Sequence, residues 1–202
     1  DRRKKNQIYL HTLSTYSRLI AEKGVNTIFF PGGTRSRSGE VETKLKLGLL
    51  NSSLLAQRNL SQKNEDRKII IVPAVIGYES VLEARSLVIQ HLKTTGQDKY
   101  ITKEKSSPFR EYVNFIFGLL KKSSKVYLTI GSPLDVFGNL VDKNGNSHNH
   151  SWHLINIRDY FTREGIFVQD AQRESIYTKQ LAESIVDVYR KFNFILPSHL
   201  VA

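Results

Sequence analysis

The chain has 202 residues, 40% of them hydrophobic and 24% charged, enough for one sizeable core and too apolar for the whole chain to be disordered. The absence of Cys excludes disulfides, thiol nucleophiles and thiolate zinc sites. Thirty Lys and Arg against 19 Asp and Glu leave a net charge of +11, which suits an anionic partner: nucleic acid, a phosphorylated metabolite or an anionic lipid surface.

Residues 7–23 read as an amphipathic helix, with Ile8, Leu13, Tyr16, Leu19 and Ile20 on one stripe and Gly24 as its stop. Residues 25–30 are short, β-branched and aromatic, the pattern of a buried strand. A Pro-Gly-Gly loop follows. A second helix is expected over 44–57, with Leu47, Leu50 and Leu54 as its core face. Residues 59–68 are polar and read as a loop. Residues 69–76 form a strongly apolar strand in which Pro73 places a bend. Residues 80–90 fit either strand or helix, 94–107 are polar, and 108–122 look helical. Residues 125–130 read as a strand ended by Gly131-Ser132-Pro133. Residues 142–150 are rich in turn formers. Residues 177–194 read as a helix carrying Leu181, Ile185, Val188 and Phe192. Strands alternating with helices imply an α/β layer fold. No segment approaches the ~18 apolar residues of a membrane span.

The chemistry concentrates in Phe30-Pro31-Gly32-Gly33-Thr34-Arg35-Ser36-Arg37-Ser38-Gly39. Glycines let the backbone approach a ligand. Exposed amides and hydroxyls donate to phosphate oxygens, and Arg adds a planar donor fork. On composition alone the alternative is a Gly-rich surface turn with incidental arginines. The spacing is neither that of a P-loop nor that of a dinucleotide fingerprint.

Phe30-Pro31-Gly32-Gly33-Thr34-Arg35-Ser36 resembles the Phe-Pro-Glu-Gly-Thr-Arg-Ser block of the glycerol-3-phosphate and lysophosphatidate acyltransferases. The extension Arg37-Ser38-Gly39 is closer to the glycerol-3-phosphate branch. Val72-Pro73-Ala74-Val75-Ile76-Gly77-Tyr78-Glu79 resembles that branch's next block, and Tyr127-Leu128-Thr129-Ile130-Gly131-Ser132-Pro133-Leu134 its later strand. The three blocks stand in the family's order over residues 1–135.

The resemblance implies a central, mostly parallel sheet flanked by helices, incomplete at its N-terminus. It implies acyl transfer from acyl-CoA or acyl carrier protein to the hydroxyl of glycerol-3-phosphate, with lysophosphatidate or another lysolipid as the alternative acceptor. No cofactor is called for. By position, Arg35 is the first phosphate ligand; Gly33, Thr34, Ser36 and Arg37 line the same loop, and Arg2 matches the arginine of an earlier block, with Arg3 as its rival. Pro31, Gly32 and Pro73 shape the site. Lys44 and Lys46 either add positive potential or form a solvated helix face.

Two departures stand out. Gly32 occupies the place of the family's Glu, whose side chain is expected on the acceptor's hydroxyls; this motivates a second reading, a catalytically inactive phospholipid-binding module. The family's general base is a His in a His-x4-Asp motif, and no His of this chain has Asp five positions on. The His and its Asp are therefore expected upstream of Asp1, in the complete protein, and the chain is expected to be cut at both ends and inactive alone. Residues 1–140 are read as part of the acyltransferase domain, 141–164 as a linker or insertion, and 165–202 as a helical extension.

His148, His150 and His153 have a spacing compatible with zinc, but no nearby acid completes the set and a polar loop is the preferred reading. The aromatic residues are not interleaved with the basic runs as a nucleic-acid stacking platform requires. The expected partners are glycerol-3-phosphate or lysophosphatidate, the acyl donor and an anionic membrane surface, with the protein on the cytoplasmic face of that membrane.

Overall fold

The computed structural model describes residues 7–32, 41–78, 89, 92–93, 96 and 125–195. These fall into two compact units. The larger holds the described residues of 7–32, 42–74 and 130–192; the smaller holds 41, those of 75–129, and 193–195. The expected elements over 80–90, 94–107 and 108–122 lie wholly or mostly outside the described residues.

Helix α1 spans Gln7–Glu22. Its end is a Schellman motif: Gly24 takes φ +76°, its N–H donates to Ala21 O, and the Val25 N–H donates to Ile20 O, both at 3.0 Å. Only part of the expected stripe turns inward. Leu13 and Ile20 are half-buried, whereas Ile8, Tyr16 and Leu19 are exposed. Short polar groups make the seam with the next helix instead. The Ser14 and Ser52 hydroxyls meet at 2.9 Å, and Glu22 accepts from Arg18 at 2.8 Å and from Asn59 at 2.7 Å.

Helix α2 spans Leu47–Gln62, five residues past the end that periodicity suggested, because Leu60 continues its buried face. It too closes on a Schellman pattern, with Asn64 at φ 57° in the position usually given to Gly. Gln57, buried mid-helix, clamps the following segment. Its amide nitrogen donates to Arg67 O at 3.2 Å, and its carbonyl accepts from the Ile69 N–H at 2.7 Å. Ile71 then exchanges two backbone hydrogen bonds with Leu134, each 2.8 Å.

The strand expected over 69–76 begins later: β1 is Ala74–Tyr78, paired with β2, Val126–Ile130. Three short strands, β3 (Leu140–Val141), β4 (Ser147–His148) and β5 (Leu154–Ile155), form an antiparallel sheet. A 3-10 helix, Ile157–Phe161, leads into the antiparallel pair β6 (Thr162–Arg163) and β7 (Ile166–Phe167). Helix α3 spans Ala171–Phe192 and starts six residues earlier than expected. Asp170 caps it, its carboxylate accepting the N–H groups of Gln172 and Arg173 at 2.9 and 3.1 Å.

The α/β class holds in this coarse form. The expected central, mostly parallel sheet is not among the described residues, where the pairings of defined direction are antiparallel. Residues 25–30, read as a strand, carry no ladder. Composition suits them to a strand, but a strand also needs a neighbour's backbone, and Ile28 and Phe30 are exposed. Only Phe29 reaches the core.

The core is two adjoining clusters in the larger unit. One joins Leu50, Leu134, Leu181, Ala182, Ile185 and Val188. The other joins Leu54, Val136, Phe137, Ile157 and Phe161. The Phe137 ring stacks on Tyr160 with centroids 4.1 Å apart and meets Tyr177 edge-on at 5.1 Å. Beneath them the buried Asp135 carboxylate accepts the N–H groups of Phe137 and Asn139 at 2.8 and 3.0 Å. Burial of that carboxylate is tolerated because both acceptor oxygens find donors. Among the described residues, no helix is long and apolar enough to cross a membrane.

Candidate functional site

Of the residues singled out from the sequence, Pro31, Gly32 and Pro73 are described. Gly33, Thr34, Arg35, Ser36, Arg37 and Arg2 lie outside the described residues. The structure therefore defines the neck of the loop, where the chain leaves at Gly32 and returns at Val41.

Two contacts close that neck. Pro31 O accepts the N–H of Lys46 at 2.8 Å, which ties the outgoing chain to the residue before α2. Glu42 lies across the α-carbon of Gly32. A Cβ placed on Gly32 would stand 2.4 Å from Glu42 Oε2 and 2.9 Å from both Cγ and Cδ. No side chain coexists with Glu42 in that position, so the close approach requires Gly at 32. Glu42 Oε1 also accepts the N–H of Lys44 at 3.3 Å. Lys44 and Lys46 themselves are exposed.

Pro73 is buried immediately before β1. Its carbonyl accepts the Gly131 N–H at 2.8 Å, and Gly131 in turn sits under α3. A Cβ on Gly131 would fall 2.3 Å from Val188 Cγ1 and 3.2 Å from Pro73 O. The second and third sequence blocks thus meet backbone to backbone at Pro73 and Gly131.

Past Glu42 the chain borders an open cleft of about 450 Å³ against α3. Leu45, Leu47, Ala182 and Val186 supply its apolar lining, and Lys179, Arg190, Glu183 and Asp187 bring both signs of charge.

His148 is engaged within its own turn. Its ring stacks on Trp152 at 4.8 Å; Nδ1 lies 3.1 Å from Asn146 O, and Nε2 lies 3.8 Å from Asp142 Oδ2. The Asn146 N–H, then that of Asn144, the Asn146 side chain and the field of His148 hold the Asp142 carboxyl below the usual carboxylate value, against a smaller opposing effect of desolvation.

Sequence reasoning missed Glu42 and the Lys46 amide. An acid in a basic stretch gives no periodic signal, and a backbone donor gives none at all.

Compared with known proteins, the chain is similar to glycerol-3-phosphate acyltransferases. That of Alteromonas mediterranea is 30% identical over 129 residues, covering 64% of this chain and 14% of the relative. That of Pseudomonas paraeruginosa is 29% identical over 131 residues, 65% and 14% of the two chains. That of Pseudoalteromonas atlantica is 31% identical over 124 residues, 61% and 14%. The chain thus spans about 14% of the length of these relatives. No family model and no solved structure matches it. The resemblance to the glycerol-3-phosphate branch, first read from Arg37-Ser38-Gly39, is supported by relatives bearing that name.

Proposed function

We propose that the complete protein is an O-acyltransferase of glycerophospholipid synthesis that moves a fatty acyl group from acyl-CoA or acyl carrier protein to the hydroxyl of glycerol-3-phosphate. The observation that carries this reading is the ordered set of three sequence blocks in a chain whose relatives are named for that activity. This chain contributes the acceptor's phosphate loop. Arg35 forks onto two phosphate oxygens, and Thr34, Ser36, Arg37 and the Gly33 amide add donors. Arg2 adds a further cation. The acceptor hydroxyl attacks the thioester carbonyl while a His, outside this chain, takes its proton; the thiol of the donor leaves. The same kinship supports a parent fold with a central, mostly parallel sheet. The +11 charge supports work at an anionic membrane surface on the cytoplasmic side.

Arg35→Ala in the complete protein raises KM for glycerol-3-phosphate by about tenfold or more, the equivalent of ~1.4 kcal/mol, and leaves KM for the acyl donor in place. An unchanged acceptor KM would remove Arg35 from the site. Competition between glycerol-3-phosphate and lysophosphatidate separates the two acceptor classes. Gly32 favours a second reading, a catalytically inactive phospholipid-binding module. Turnover of an acyl donor with glycerol-3-phosphate by the complete protein rules that out.

A further inference from the structure

We propose that Glu42 is a specificity-determining residue of the acceptor site, its carboxylate accepting a hydrogen bond from a free hydroxyl of the phosphorylated acceptor. The inference rests on the phosphate-acceptor reading above and adds a residue that the sequence blocks do not contain.

Three observations lead to it. The carboxylate is held at the mouth of the loop, over the bare α-carbon of Gly32, where it occupies the space a side chain at 32 would take. Next, the site's electrostatics make an acid there unfavourable for phosphate alone. The segment between Pro31 and Lys46 carries Arg35, Arg37, Lys44 and Lys46, and its acids are Glu40 and Glu42. A carboxylate beside a phosphate repels it, so Glu42 weakens a bare phosphate and helps only a ligand that brings a hydrogen-bond donor alongside its phosphate. Lastly, Glu42 Oε1 takes the Lys44 N–H, which fixes the carboxylate's orientation. The Oε2 atom is the one turned to Gly32. A phosphorylated polyol meets both requirements; inorganic phosphate and a simple alkyl phosphate meet only one.

A purely structural role for Glu42, as the neck's closing residue, makes a different forecast. Glu42→Gln keeps the volume and an oxygen for the Lys44 N–H while removing the charge. The test is calorimetric binding of glycerol-3-phosphate and of ethyl phosphate, which lacks a hydroxyl, to the complete protein. The wild type binds glycerol-3-phosphate about tenfold more tightly than ethyl phosphate, the discrimination expected of one charge-assisted hydrogen bond. Glu42→Gln abolishes most of that preference and leaves ethyl phosphate as tight or tighter. The double change Gly32→Glu with Glu42→Gly moves the carboxylate across the same space and retains the preference, whereas Glu42→Gly alone loses it.

Equal weakening of both ligands by Glu42→Gln, or no change in either, would overturn the role of Glu42 while leaving the phosphate loop standing. A wild type that binds neither ligand would instead overturn the acceptor reading itself, and Glu42 with it.

Discussion

The loop neck at Pro31–Lys46 and the lid of residues 134–167 over α2 and α3 are held by opposite means. The neck rests on one backbone hydrogen bond and one carboxylate laid over a glycine. The lid rests on stacked aromatic rings, a buried carboxylate with satisfied oxygens, and apolar side chains that share a cluster with Leu54. The contrast shows where this chain spends its packing. The region that carries recognition chemistry is lightly built, and the region with no evident chemistry is built like a core. Variation in the neck should therefore read out as affinity, and variation under the lid as stability.

The sharpest way to break that contrast lies at Leu54, which is fully buried where α2 meets Phe137, Ile157 and Phe161. Leu54→Ala lowers unfolding stability by about 2–5 kcal/mol, measured by urea denaturation. If Glu42→Gln shifts the urea midpoint comparably, the division between neck and lid is wrong. A smaller effect is expected at the junction of the second and third blocks. Gly131→Ala drives a methyl into Val188 and lowers stability by about 1–3 kcal/mol in the same assay. A neutral result there would mean that α3 yields easily over β2.

The smallest effect belongs to the turn at Asp142. Its carboxyl titrates below the ordinary Asp value of 3.8 in the folded chain, so the stability it contributes is present above that value and is lost as pH falls through the lowered one. Trp152, the sole Trp, stacks on His148 in this turn and reports on it by fluorescence. Its emission changes on acidification between about pH 5 and pH 2, and Asp142→Asn flattens that response.

Much of the helical scaffold was legible in the sequence. Leu50 and Leu54 on α2, and Leu181, Ile185 and Val188 on α3, are buried as their 3.6-residue spacing implies. Gly24 stops α1 as a glycine should. The reading fails where structure depends on partners distant in sequence. Residues 25–30 have strand composition but no ladder, and the apolar stripe of α1 loses to a serine seam. Ile157 and Phe161 are core residues in a stretch whose turn formers dominate any local window. Of the candidate site, the loop's chemistry was legible because it is written in residue types. Its closure was not, because Lys46 contributes an amide and Glu42 a position.

The tie between Pro31 O and the Lys46 amide has an evolutionary side. Because the two ends of the loop are joined by scaffold residues, the intervening segment can change length at little expense to folding; each doubling of a flexible loop adds only about 0.6 kcal/mol of closure entropy. The loop is thus an exchangeable cassette. A lineage could add an arginine, drop a serine or lengthen the excursion to admit a bulkier phosphate ester, and the helices beneath would register none of it.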